Sequence, residues 1–419
     1  MKSLDFSRYA LTCCVATAML AGCGGSQPPI GAPGAMPQTW AIAAHADRGR
    51  PLTKTPAVLY SFLGGPDGLS PRGGLTIDKA GDIFGTTESG GRSNAGTLFE
   101  LTGSKGRFTE RVVHRFKGRD GMVPVAQPFE DASGNLFATA SLGGNVDGDG
   151  TAIELRAKGK SYRETSLLFD GTDGEAPQAS FVEVGRKLYT TTSSGGKYGY
   201  GAIVALTVPG FAETDVYDFA GPPNDGETPR SGLVADLSGA LYGTTEVGGG
   251  FYSGTVFKFV PSSSGGSESV LWSFSFADGA IPFAGVTRDE AGNLYTTTES
   301  GGSSDYGAVV KLTPSGSGFT EKVLHSFTSS GDGESPEGGL TYKGHFLYGT
   351  TPLGGSHGLG TIYRLSTSGA DYAVLYSFQG GTSDGEYPFD TLAVSGQALY
   401  GTTSAGGSEN SGVVFGFIP

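Results

Sequence analysis

Beyond residue 23 the chain has no cysteine: its three are Cys13, Cys14 and Cys23. An internal disulfide, a thiolate nucleophile and a zinc–thiolate centre are therefore excluded from the body. Charged residues are scarce, 16% of 419, and lean acidic to a formal net charge of −13. No segment carries a basic stripe, so phosphate backbones are repelled and nucleic acid is not an expected partner. The five histidines (His45, His114, His325, His345, His357) form no His-x-x-x-His pair and no nucleophile elbow. What is plentiful is glycine, 73 residues, beside 22 prolines and 11% aromatics. Disordered chains are poor in aromatics, and collagen needs glycine at every third position. A turn-rich all-β protein is what remains.

The first residues read as an address. Lys2 and Arg8 precede an apolar run, Tyr9 to Ala21, too short to span a bilayer and suited to a signal-peptide core. It ends in Leu20-Ala21-Gly22-Cys23, with polar Gly-Gly-Ser-Gln after it. This resembles the bacterial lipobox, which implies cleavage after residue 22 and lipidation of Cys23. Asp5 in the leading segment departs mildly from that pattern. Several acyl chains, at about 0.8 kcal/mol per buried CH₂, would make the anchor effectively permanent. Gly24 in place of aspartate after the cysteine is similar to outer-membrane sorting signals, which favours the outer over the inner membrane. Residues 23–57 contain Pro28, Pro29, Pro33, Pro37, Pro51 and Pro56 without strand alternation, and read as a tether.

From Val58 one unit recurs seven times. It opens with an apolar strand ending in Phe62, Phe116, Phe169, Phe219, Phe274, Phe327 or Phe378, spaced 50 to 55 residues apart. Asp-Gly-x-x-Pro follows each, beginning at Asp67, Asp120, Asp173, Asp225, Asp278, Asp332 and Asp384. Then come a short apolar segment, a strand such as Leu241-Tyr242-Gly243-Thr244-Thr245, a Gly-Gly pair, and a strand such as Gly254-Thr255-Val256-Phe257. Four short strands per period predict four-stranded blades around an axis, and seven copies predict a seven-bladed β-propeller over 58–419. A linear solenoid needs atypical capping repeats, and the end copies here are as regular as the middle ones. With the Phe-ending strand outermost, Val58 to Phe62 completes the sheet of the last three strands, closing the ring and removing an open edge.

The residues Leu-Tyr-Gly-Thr-Thr at 241–245, Gly248-Gly249 and Gly-Thr-Val-Phe at 254–257 resemble the GloVer (Gloeo/Verruco) repeat family of exported bacterial proteins. The likeness covers essentially all of 58–419. It implies surface anchoring and no established chemistry. The Gly-Gly pair is also similar to that of kelch blades, whose spaced Tyr and Trp are missing here.

Naming the strands a to d from the axis outward, with the Phe strand as d, places Asp-Gly-x-x-Pro in the d-to-a connections and Gly-Gly in the b-to-c loops, on one face. The seven aspartates suit turn chemistry, since Asp accepts nearby backbone N–H groups, Gly takes positive φ and Pro fixes the next strand. The alternative is an acidic ring, with Glu175, Glu227, Glu334 and Glu386 beside four of the glycines. The seven Phe residues suit the core between sheets. His114 and His325 take a slot filled elsewhere by Tyr60, Tyr217, Trp272 and Tyr376, which reads as interblade filler.

Departures from the repeat are where a site is sought. Blade two has Ala138-Thr139-Ala140 for Gly-Thr-Thr, and a loop with Asn145, Asp147 and Asp149. Those oxygens at alternate positions resemble the start of a calcium loop, but Arg156 stands where an EF-hand needs glutamate. A shorter calcium loop and a plain polar turn both stay open, so Ca²⁺ is the one cofactor considered. Lys197, Tyr198 and Tyr200 in blade three and Phe251 and Tyr252 in blade four offer aromatic contacts for sugars or peptides. Repeating acidic pairs sevenfold argues against one tuned acid/base dyad.

The leading expectation is a non-enzymatic binding or scaffold lipoprotein on the cell envelope, with a protein or glycan ligand. Two alternatives are a polysaccharide lyase or hydrolase with its site at the central channel, and a calcium-dependent adhesion module. The enzyme alternative requires a cluster of unrepeated polar residues at the channel mouth.

Overall fold

The structure, a computed structural model, describes residues 52–419 apart from 105, 106, 160, 209, 264 and 330. The expected signal peptide, Cys23 and most of the expected tether lie outside the described residues.

Seven antiparallel sheets follow one another, each built as a-b-c-d. Blade four is representative: Val234–Ala235, Leu241–Thr245, Thr255–Ser262 and Gly265–Ser273. Blade three departs in having its a strand split into Glu175–Pro177 and Val182–Val184, both paired with Lys187–Ser194. Blade seven is composite. Ala57–Ser61 pairs with Val413–Phe417, which continues through Ala398–Thr403 to Ala393–Ser395. The expected one-plus-three closure is therefore the observed one, and the chain is a seven-bladed propeller.

Three sets of interblade contacts recur around the whole ring, and each explains a repeated residue. The first uses the middle residue of Gly-Thr-Thr. The hydroxyls of Thr86, Thr139, Thr191, Thr244, Thr297, Thr350 and Thr402 donate to the carbonyls of Ala126, Ala179, Ser231, Ala284, Gly338, Asp390 and Gly73 of the following blade. All seven threonines are buried, so each loss would leave an unpaired carbonyl at about 1–3 kcal/mol. The second uses the glycine that opens strand c, which lies against the proline of the next blade. At the seam between last and first blades, a Cβ on Gly412 would come within 2.5 Å of Pro71 Cδ.

The third is apolar. Seven hydrophobic clusters fill the ring, each drawn from two neighbouring sheets. All seven d-strand phenylalanines are fully buried, each contributing about 1.5–3 kcal/mol by removal from water. Several meet an aromatic on strand c of the next blade edge to face, as Phe62 meets Phe99 at 5.0 Å and Phe219 meets Phe257 at 5.2 Å.

Candidate functional site

The d-to-a connection and b-to-c loop of each blade are hydrogen-bonded to each other, as in Gly226–Glu227 against Val247–Gly248 and the Leu69–Ser89 bridge. They occupy one face, as the strand order requires.

On that face each aspartate of Asp-Gly-x-x-Pro is tied to its own blade. Asp67 accepts from the Tyr60 hydroxyl and from Leu63 N–H, both at 2.9 Å. Asp225 accepts from Tyr217 and Ala220 N–H, and Asp384 from Tyr376 and Gln379 N–H. Asp278 takes Trp272 Nε1–H and Ser275 N–H. His325 and His114 fill the same slot opposite Asp332 and Asp120. Blade two has Leu167 in this slot, and Asp173 accepts only the backbone N–H of Asp170 among its d-strand end.

The residue before each proline is left-handed although none is glycine: Ser70, Val123, Ala176, Thr228, Ile281, Ser335 and Tyr387 have φ between 52° and 59°. Such backbone costs on the order of 1–3 kcal/mol, most for β-branched side chains. It is held in place because every one of these residues donates its N–H to the preceding blade, as Thr228 does to the Tyr200 carbonyl at 3.0 Å. The kink delivers the residue after proline to the axial opening. Those residues are Arg72, Val125, Gln178, Arg230, Phe283, Glu337 and Phe389, seven positions with no consensus.

The residues following Gly-Thr-Thr supply a second tier that includes Glu88, Glu246 and Glu299. Arg230 pairs with Glu246 at 2.8 Å and Arg72 with Glu88 at 3.6 Å. The guanidinium of Arg72 stands 4.0 Å from the Phe389 ring centre, and that of Arg230 lies 5.5 Å from Phe283. Burial, then the neighbouring Glu299, push the Glu337 carboxyl up to about 7, against the pull of Arg72 and Arg230. Burial raises Glu299, with Glu246 adding to it and Arg230 opposing. Burial also raises Glu246, outweighing its partner Arg230. Charges from blades one, four, five and six thus act on one another, which is feasible only at the axis. In blade seven, burial raises Asp390 to about 6. A Cβ on Gly74 would come within 3.3 Å of both Asp390 Oδ2 and Gln127 Cβ, so residues of three successive blades converge there.

This mouth is the unrepeated polar cluster that sequence reasoning could not locate. Its signal was present as variation at two fixed offsets, after proline and after Gly-Thr-Thr, within an otherwise constant frame.

The residues singled out from sequence fall elsewhere on the same face. Tyr198, Phe251 and Tyr252 are exposed at 49%, 64% and 63%, in loops of neighbouring blades three and four. Lys197 Nζ stands 4.9 Å from the Tyr198 ring. Tyr200 packs over Gly221, where a Cβ would meet its ring at 2.7 Å. In blade two, Asn145 Oδ1 accepts the N–H groups of Asp147 and Gly148, and its Nδ2 donates to Asp149 Oδ2 at 2.7 Å. The structure brings Asn145 and Asp149 together and leaves Asp147 facing solvent.

Fold and site thus define a seven-bladed repeat propeller with a charged axial mouth. The chain belongs to the Gloeobacter/Verrucomicrobia repeat family, whose model matches residues 109–289 and 253–419. No curated protein matches it in sequence. Among solved structures it is similar to the extracellular domain of a proposed one-component system from B. thetaiotaomicron, at 12% identity and a TM-score of 0.53 over 83% of this chain and 38% of that one. Two proteins proposed to be 6-phosphogluconolactonases, from Bacteroides uniformis and Bacteroides fragilis, are also similar. Each has 12% identity and a TM-score of 0.50, with 72% and 78% of this chain covering 82% and 87% of theirs. At such identity the likeness shows the fold alone.

Proposed function

We propose that this is an exported, lipid-anchored envelope protein whose propeller binds a glycan over the channel mouth without turning it over. The carrying observation is that the repeat is broken where Arg72, Arg230, Glu88, Glu246, Glu299 and Glu337 converge, while the rest of the frame is kept for folding. Arginine–carboxylate pairs present several donors and acceptors to hydroxyls, and aromatic faces stack on sugar rings. Phe283 and Phe389 stand beside the two arginines, and Tyr198, Phe251 and Tyr252 extend apolar surface outward along the same face. Membership of the repeat family and likeness to an extracellular domain support export; Leu20-Ala21-Gly22-Cys23 supports anchoring through Cys23.

A second reading, a polysaccharide lyase or hydrolase, draws on Glu337. A carboxyl pushed up to about 7 by burial, with Arg72 and Arg230 close by, is suited to proton transfer. One experiment separates the two. The full chain is titrated with a panel of oligosaccharides while thermal stability and released sugar ends are followed. Saturable stabilisation without new ends, lost in Arg230→Ala and Glu246→Gln, supports the binding module. New ends that vanish in Glu337→Gln support the enzyme. Neither response from any sugar sinks both.

A further inference from the structure

The outer rim holds a second polar cluster, away from the axis. In most blades the aspartate and its d-strand aromatic face a side chain on the d strand of the next blade. Glu268 lies 3.4 Å from the Tyr217 hydroxyl that serves Asp225, and Tyr372 stacks on His325 at 3.7 Å. Between blades one and two the three positions are His114, Asp120 and Glu164. His114 Nε2 is 3.2 Å from Asp120 Oδ2, and Nδ1 is 3.6 Å from Glu164 Oε2.

Two histidines occupy equivalent slots, and only one is accounted for by packing. His325 makes a hydrogen bond to Asp332 and lies flat against Tyr372, and among the described residues no second carboxylate pairs with it. His114 has a carboxylate on each side of its ring, is 8% exposed, and its Nε2 lacks the alignment of a hydrogen bond despite its closeness to Asp120. One donor atom from each of His114, Asp120 and Glu164 lies within 4.8 Å of the others, the one such group among the described residues. A cleft of about 540 Å³ opens beside them, lined by Asp120 and Glu164 together with Lys117, Arg119, Ser166 and Leu168.

We propose that His114, Asp120 and Glu164 hold one divalent first-row transition ion between blades one and two, with coordination left open toward the cleft. An imidazole nitrogen with two carboxylate oxygens suits a borderline ion such as Zn²⁺ or Co²⁺. Its two positive charges match the two carboxylates that now flank one imidazole. Donor atoms bound to one ion sit about 2.0–2.2 Å from it, so the ion takes the Nε2 side with Asp120 and the exposed Glu164 side chain swings round from the Nδ1 side to join it. Lys117 and Arg119 favour water or an oxyanion as the next ligand.

The test is a titration of the chelator-treated full chain with Zn²⁺ by calorimetry and with Co²⁺ by visible absorption. His114→Tyr installs the residue of Tyr60, Tyr217 and Tyr376, so Asp120 keeps a donor and the blade keeps its packing. It is expected to lower affinity for one equivalent by at least about tenfold to a hundredfold, the loss typical of merely outer-shell partners, as is Glu164→Gln, while His325→Tyr changes nothing. Equal melting temperatures of all variants in chelator establish that each is folded. Zinc binding that survives His114→Tyr, or no binding up to roughly 1 mM, a free energy of only about −4 kcal/mol, overturns the proposal. The cluster is then an ion-free link in which His114 bridges two carboxylates.

Discussion

Gly243 on strand b of blade four lies directly across from Phe257 on strand c, and a Cβ there would meet the phenylalanine ring at 2.7 Å. The same register position holds Gly85 with Phe99, Gly349 with Tyr363 and Gly401 with Phe415. Where strand c carries a smaller residue, strand b carries a larger one: Ala138 with Ile153, Thr190 with Val204, Thr296 with Val310. Volume is conserved across the pair. Overpacking costs about 1–3 kcal/mol, so Gly243→Thr alone should lower unfolding free energy by about that much in denaturant melts. Adding Phe257→Val, which copies blade five, should recover at least half of it through a favourable coupling. Additive losses in the double variant would show that the two positions do not compensate.

That pairing marks the limit of what was legible in the chain. Period, blade count and closure could be read because strand spacing and turn chemistry repeat with local causes. The departure Ala138-Thr139-Ala140 looked like a place to seek a site; it is a packing exchange with Ile153, visible only once the register between strands is known. The pairing of six of the seven aspartates with the ring side chain six to eight residues before it was missed, because the two are joined across a turn. The channel mouth was missed for a different reason. Its charges come from four blades, and no local pattern announces that Arg72 and Glu337 act on each other.

Three outer-rim glutamates give the propeller a pH dependence. Burial, then Asp67, raise Glu110 to about 7; burial, then Asp225, raise Glu268 to about 8; burial, then Asp278, raise Glu321 to about 6. The folded state therefore prefers these groups protonated. Their contribution is fully present below the unfolded value near 4.5 and is lost as pH rises through 6 to 8. Each tenfold change in proton affinity corresponds to about 1.4 kcal/mol. Glu268→Gln, which stays neutral, is expected to stabilise the protein by on the order of 2 kcal/mol at pH 9 and by little at pH 4. Denaturant midpoints across pH 4–9 check this. A variant that runs parallel to the wild type at every pH would show that Glu268 is not held protonated.

Ring closure makes the last prediction. In an open stack of repeats the terminal unit frays independently, so a core truncation there costs less than one in the middle. Here Phe62 ends the strand that the chain's first described residues contribute to blade seven, and it is as fully buried as Phe274 in blade four. It also meets Phe99 of blade one edge to face, so the terminal strand is bonded to one neighbouring sheet and packed on the other. Truncating a fully buried phenylalanine costs about 3–5 kcal/mol. Phe62→Ala and Phe274→Ala should therefore destabilise the protein by the same amount within about 1 kcal/mol. The comparison is made by urea unfolding followed by tryptophan fluorescence, since Trp272 sits in blade four, far along the chain from residue 62. A loss below about 1 kcal/mol for Phe62→Ala, with the full loss for Phe274→Ala, would mean that the seam opens ahead of the blades. Equal losses, both reported by Trp272, would mean that the ring unfolds as one unit and that its first strand is as much a part of the fold as any interior one.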